Sequence, residues 1–316
     1  MTLTRRHFLT LSAATLAVRP AHASGLQTLG GEAFGSYWRG IFADDLAAGD
    51  VSGLIGQVVA EVDRQMSPYQ PGSELSVFNR AGQAQLSGGV IETTRAALQI
   101  AMDTGGAFDP TVGPTVARYG FGPIRGAEGP GWQALSLSGA RLTRATEGVT
   151  LDLCGIAKGH ALDRMAAGLE MAGVSDFVLE LGGEVIARGQ HPEGRPWQVG
   201  IEDGAGSLAG IARLQGMAVA TSGLWDQSYR IRTARYGHII DPATGTPVGG
   251  SLASVSVFHD RAMIADGLAT ALFVMGADRA LTHAWNTGLA AVLVADGGAV
   301  TMTGAAETFV EIGGLG

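Results

Sequence analysis

The sequence predicts an α+β fold built on a largely antiparallel sheet. Three observations carry that expectation: a few long segments repeat apolar residues at helical spacing, many short β-branched runs sit between glycine- and proline-bearing turns, and 49 glycines against 6% aromatics point to tight turning. Residues 51–66 place Leu54, Val58, Val59, Val62 and Met66 on one side of a helix, and residues 93–104 read as a second. Residues 150–153 read as a short strand feeding a third helix over 157–172, which Gly173 ends. Strands are expected over 177–181, 185–188, 197–201, 211–214, 217–221, 229–233, 253–258 and 290–295. A fourth helix, 262–275, stops at Gly276. No internal repeat or low-complexity tract divides the chain.

The first 23 residues read as an export leader, with Arg5-Arg6, an apolar run over 9–18 and the small-x-small site Ala21-His22-Ala23. The arginine pair followed by Phe8-Leu9 points to the twin-arginine route, with the general secretory route as the alternative. The apolar run falls far short of the roughly 20 residues of a membrane span, and no cysteine follows the cleavage site to take a lipid. A periplasmic domain over 24–316 is therefore expected, with no membrane insertion of the mature chain. Loss of Arg5, Arg6 and Arg19 takes the formal charge from −8 to −11, and no Lys/Arg block remains to meet a nucleic-acid backbone. Cys154 is the only cysteine, so no intramolecular disulfide can form. Between Leu153 and Ile156 it reads as a buried, inert thiol.

Five segments carry chemistry-bearing residues. Asp266 and Thr270 are four apart on the helix 262–275 and share one face, a hard-oxygen pair suited to Mg²⁺. The same spacing also fits a carboxylate near a helix start and a back-bonded threonine. Residues 152–159 make a turn into a helix whose free N–H groups, with Lys158, suit a phosphate; a tight connection with a solvated lysine is the other reading. Ala107-Phe108-Asp109-Pro110 offers a fixed turn and an aromatic, and Tyr69, after Ser67-Pro68, is a candidate stacking residue. His238 and Asp241 flank Ile239-Ile240 ahead of a turn, and histidine is the natural proton acceptor near neutral pH.

Read in order, these segments resemble the FAD:protein FMN transferase family, known as ApbE. The matching stretches are Phe34-Gly35-Ser36-Tyr37-Trp38, the segment 66–79, 105–114, 151–159, Leu181-Gly182-Gly183-Glu184, Ala220-Thr221-Ser222-Gly223, 237–247 and 265–276. The resemblance implies a two-lobed, T-fold-like unit and a Mg²⁺-dependent transfer of FMN from FAD to a Thr or Ser hydroxyl of a target flavoprotein, with release of AMP. It implies that Tyr69, Ala107, Phe108 and Asp109 line the flavin site and that Asp152 and Lys158 touch the dinucleotide. The Gly155 carbonyl, Asp266 and Thr270 would hold the metal, and His238, with Asp241 beside it, would take the proton. The implied acceptor carries an extracytoplasmic FMN domain, such as a redox-driven ion pump or the flavoprotein of nitrous oxide respiration.

Three positions depart from the family pattern: Phe34 for the usual Met, Cys154 for the usual Gly, and Glu180 for Asn or Asp. Family acceptors carry a short Asp-x-x-Ser/Thr-Gly-Ala-Thr-like segment. The nearest stretch here, Thr301-Met302-Thr303-Gly304-Ala305-Ala306, has Ala306 where the hydroxyl would have to be, so the acceptor is a separate chain. The alternative of another class is a periplasmic FAD carrier, or an FAD pyrophosphatase without transfer to protein.

Overall fold

The computed structural model describes residues 25–43, 46–129, 131–203, 207–223, 228–231, 234–250 and 252–313; the expected leader lies outside them. Its framework is one eight-stranded antiparallel sheet, in the order β1 (Gln27–Ala33), β2 (Ser36–Phe42), β6 (Phe177–Leu181), β7 (Glu184–Arg188), β10 (Ala218–Gly223), β15 (Leu252–His259), β16 (Ala290–Ala295) and β17 (Val300–Met302). A second sheet joins β8 (Trp197–Glu202), β9 (Leu208–Leu214) and β18 (Val310–Ile312), and a third joins β3 (Gln83–Gln85), β4 (Leu135–Ser138) and β5 (Arg141–Arg144). Two hairpins follow β10 in the chain, β11 (Ser228–Ile231) with β12 (Ala234–Gly237) and β13 (Ile240–Asp241) with β14 (Thr246–Pro247), the arm that carries His238 between them.

Seven α-helices lie among the described residues: α1 (Ala48–Met66), α2 (Glu74–Ala81), α3 (Gly88–Asp103), α4 (Gly113–Arg118), α5 (Ala157–Met171), α6 (Ala262–Met275) and α7 (Ala277–Thr287). Helix α1 buries Val51, Ile55, Val62 and Met66, and ends where Ser67 turns extended ahead of Pro68. Helix α2 begins on a true cap, with the Ser73 hydroxyl accepting the Ser76 N–H at 3.0 Å. Helix α6 is apolar nearly all round because it is packed nearly all round, against α3, α5, β10 and β15.

Alternation along the strands sorts side chains to two cores. One face of the main sheet, with Phe42, Leu179, Leu181 and Ile186, packs under α1, α3, α5 and α6. The other, with Val178, Val185, Ala187 and Val219, packs on Trp197, Val199 and Ala212 of the second sheet. At a residue such as Phe42, 0% exposed, truncation to Ala removes about 3–5 kcal/mol.

Several expected elements differ. Residues 150–153 form no strand: the Asn79 side chain donates to the Leu151 carbonyl at 2.8 Å and accepts its N–H at 2.7 Å, taking the place of a neighbouring strand. Helix α3 starts five residues before the expected point, β9 starts three before it, and the strand expected over 229–233 is seen as Ser228–Ile231, with residues 232 and 233 outside the described residues.

One detail of register shapes the site. β10 pairs with β7 only through Ala218 and Val219, because β7 turns back at Gly182-Gly183 into β6. Both glycines have left-handed φ, 57° and 99°, which a side chain would resist. Ala220–Gly223 therefore runs past the hairpin end, paired among the described residues only with β15, and borders a deep cleft.

Candidate active site

The cleft, about 1500 Å³ in volume, runs between the main sheet, the second sheet and the ends of α4, α5 and α6. It brings together ten of the eleven expected site residues: Tyr69, Ala107, Phe108, Asp109, Asp152, Gly155, Lys158, His238, Asp266 and Thr270 all line it. Asp241 is placed differently. Its carboxylate accepts the Ala243 N–H at 2.9 Å and the Thr244 hydroxyl at 3.2 Å, so both oxygens shape the turn after β13.

One wall is formed by α5, α6 and the turn before α5. Asp266, 5% exposed, accepts the Gly159 N–H at 3.0 Å, which ties the two helices together. Gly159 is glycine of necessity, since an added Cβ would stand 2.4 Å from the Ala262 carbonyl oxygen. One turn along α6, the Thr270 hydroxyl lies 3.3 Å from that of Ser222 on β10. A Cβ placed on Gly155 would fall 3.6 Å from the Thr270 hydroxyl oxygen and 3.2 Å from the Phe108 ring, so carboxylate, hydroxyl and turn backbone converge.

The charges on this wall are unbalanced. Lys158 contacts Glu184 through one carboxylate oxygen, while the other Glu184 oxygen is buried with no hydrogen-bond partner among the described residues. Desolvation raises the Glu184 pKa to about 8 against the pull of Lys158, and the charge of Asp266 adds to the rise. Desolvation also raises Asp266, opposed by Lys158 and the Gly159 N–H, and raises Asp152, opposed by the Cys154 N–H. Two carboxylates whose ionisation is disfavoured, Glu184 and Asp266, thus share one ammonium, with a third, Asp152, lining the same cleft. Oxygen donors with excess negative charge suit a hard divalent cation, and a single carboxylate with a hydroxyl and a carbonyl leaves positions open for water and phosphate oxygens. The residues fit Mg²⁺.

His238, half-buried between β12 and β13, also lines the cleft, its ring edge-on to Phe121 at 6.3 Å. Arg118 of α4 steadies this arm by donating to the Gly245 carbonyl at 2.5 Å. Above the floor, the Asp109 carboxylate accepts the Thr111 N–H, the Thr111 hydroxyl and the Gly131 N–H, fixing the loop after α3 that presents Ala107 and Phe108. Its pKa is raised by desolvation despite these bonds. At the mouth Tyr69 is 69% exposed, on a loop that Ser73 pins by donating to the Ser67 carbonyl at 2.7 Å. Desolvation, then the nearby thiol and Asp152, raises its phenol pKa.

Cys154 corrects the expectation of a buried thiol. The Asp152 carboxylate accepts the Cys154 N–H at 2.9 Å and turns the residue outward, so that it is exposed and lines the cleft. Water reaches it, yet protein surrounds it closely. Desolvation by those walls, followed by the Asp152 charge, pushes the thiol well above its ordinary pKa. Glu180 meets its own longer reach with two partners, Tyr37 at 2.9 Å and Arg39 at 3.2 Å. Glu184 and Ser222 are site residues to which the sequence reading gave no role. Their only signal was membership of the Gly-Gly-Glu and Thr-Ser-Gly stretches.

Residues 34–293 match the model of the ApbE family. The chain is 35% identical over 279 residues to the FAD:protein FMN transferase of Haemophilus influenzae, covering 80% of this chain and 81% of the relative. It is 31% identical over 310 residues to the enzyme of that name from Klebsiella pneumoniae, covering 90% and 89%. Among solved structures it is similar to the flavin transferase ApbE of Vibrio cholerae, with TM-score 0.80 and 29% identity over 90% of this chain and 99% of that one. The apo flavinyl transferase ApbE of Pseudomonas stutzeri superposes with TM-score 0.79 and 30% identity, over 90% and 96%. With the cleft, its oxygen-donor wall and these likenesses together, the chain belongs to the ApbE family.

Proposed function

We propose that this protein is an FAD:protein FMN transferase that moves FMN from FAD to a Thr or Ser hydroxyl of a separate flavoprotein. The observation that carries the reading is the gathering of Asp266, Thr270, Gly155, Lys158 and His238 along one cleft. The acceptor oxygen attacks the phosphorus of the FMN half, the pyrophosphate P–O bond breaks, and AMP leaves. His238 takes the hydroxyl proton at a ring nitrogen. Lys158 offsets negative charge on the pyrophosphate, and the loop of Phe108 and Asp109 orients the flavin. Asp266, Thr270 and the Gly155 carbonyl would hold Mg²⁺, which when bound neutralises charge on the phosphate oxygens. Asp241 supports His238 by holding the turn that follows it.

The acceptor carries an extracytoplasmic FMN domain, and the protein acts in the periplasm after twin-arginine export. Among the described residues no helix is long and apolar enough to cross a membrane. Self-modification is disfavoured by packing as well as by sequence, since Thr303 is 1% and Ala306 0% exposed. The test is incubation with FAD, Mg²⁺ and a purified acceptor domain. The expected result is flavin fluorescence that survives denaturation on the acceptor alone, with AMP released in equal amount. Bound FAD with no labelled acceptor would favour a carrier, and AMP without label a pyrophosphatase.

A further inference from the structure

We infer that Glu184 is a positioning residue for the transfer step, fixing the Lys158 ammonium beside the metal-binding wall; this rests on the function proposed above. Glu184 opens β7 directly after the Gly182-Gly183 turn and shares the sheet face of Ile186, beneath the first turn of α5 where Lys158 sits. The two halves of the pair differ sharply in access. The Glu184 side chain is 4% exposed and the Lys158 side chain 36%, so the carboxylate is a buried anchor and the ammonium its tip in the cleft.

A purely structural ion pair gives no reason for this arrangement. Buried pairs contribute little net stability over apolar replacements, and native structures rarely leave a buried oxygen without a partner, as Glu184 does among the described residues. Positioning gives a reason. Lysine carries a large rotamer entropy on its four-carbon stem, and an anchor at the tip removes that freedom before substrate arrives. The same carboxylate lies within electrostatic reach of Asp266, so ammonium and metal ligand are held in one fixed frame.

The test uses the full chain with FAD, Mg²⁺ and an acceptor domain, comparing E184Q, E184D, K158A and the double variant K158A/E184Q. Assayed above pH 8, where the Glu184 carboxylate is ionised, E184Q is expected to lower kcat by about 10- to 100-fold, with FAD affinity and melting temperature close to the parent, and E184D to recover part of the loss. In the K158A background E184Q is expected to add nothing, because Glu184 acts through Lys158. The cycle is repeated on K158R, which keeps the charge in another shape, so that an inactive K158A cannot conceal the answer. Parental kcat in E184Q, losses that multiply in both backgrounds, or a loss that follows FAD affinity or melting temperature would each overturn the assignment. Failure of the parent itself to label the acceptor would count against the transferase reading and not against Glu184.

Discussion

The wall that carries Asp266 and Thr270 is built on two helices in direct contact, whereas His238 sits between two short hairpins. In the first, Gly159 lets α5 and α6 touch, its N–H binds Asp266, and Asp163 accepts the first N–H groups of α6 at 2.6 and 3.0 Å. In the second, among the described residues, two-residue strands are closed by the Asp241 turn, a bond from Val248 to the Ile239 carbonyl, and Arg118. The difference follows the chemistry. On the function proposed above, metal and phosphate ligands need geometry held within about 0.5 Å, while a proton acceptor that meets an incoming protein belongs on a connecting segment.

The sharpest way to break this comparison is His238→Ala. Transfer is expected to fall by about 10²- to 10⁴-fold, the usual worth of a general base, with FAD binding and melting temperature unchanged. Collapse of FAD affinity would make His238 a binding residue instead. Asp266→Ala is expected to lower AMP release by about 10²- to 10³-fold and, unlike the first variant, to cost about 1–3 kcal/mol of stability by orphaning the Gly159 N–H. A chelator should reproduce only the loss of activity, and added Mg²⁺ should restore the parent but not the variant. Full activity in Asp266→Ala would remove the metal from α6.

The foundation of the braced wall makes a pH-dependent contribution. His160 of α5, 2% exposed beside Gln65 and α3, has a pKa lowered to about 4, chiefly by desolvation. The folded state binds this proton less readily than the unfolded chain, so stability is intact above about pH 6.5 and falls toward pH 4, by up to about 3 kcal/mol. Thermal melts across that range should show the slope, and His160→Gln should flatten it; an unchanged slope assigns the acid loss elsewhere. The smallest effect is expected for Asp241→Ala, which should cost about 0.5–1.5 kcal/mol and reduce transfer only a few-fold. A loss equal to that of His238→Ala would put Asp241 among the reacting groups.

The braced wall was also the more legible part of the sequence. The periodic run 262–275 gave α6 its observed bounds, and Gly173 ended α5 as expected, because local spacing and glycine stops decide such helices. What escaped depends on distant partners. The hairpin of β1 and β2 turns on Phe34, held at φ 52° where glycine or asparagine is usual, and Gly30-Gly31 interrupts its strand pattern. Helix α7 was hidden because Gly276 ends one helix and leads directly into the next. Glu184 was invisible as a site residue, since its place beneath Lys158 arises from a strand and a helix 26 residues apart.

The outward-facing Cys154 leaves the chain with a single thiol, at the lip of the cleft. It is a native attachment point for one fluorescent or spin probe, with no cysteine elsewhere to be removed first. Its raised pKa means that labelling proceeds through a small thiolate fraction and accelerates with alkalinity. On the function proposed above, FAD held in the cleft is expected to shield the thiol, so that the rate of alkylation becomes a clock for occupancy. The residue that departs from the family pattern thereby gives this member a built-in reporter of its own catalytic cycle.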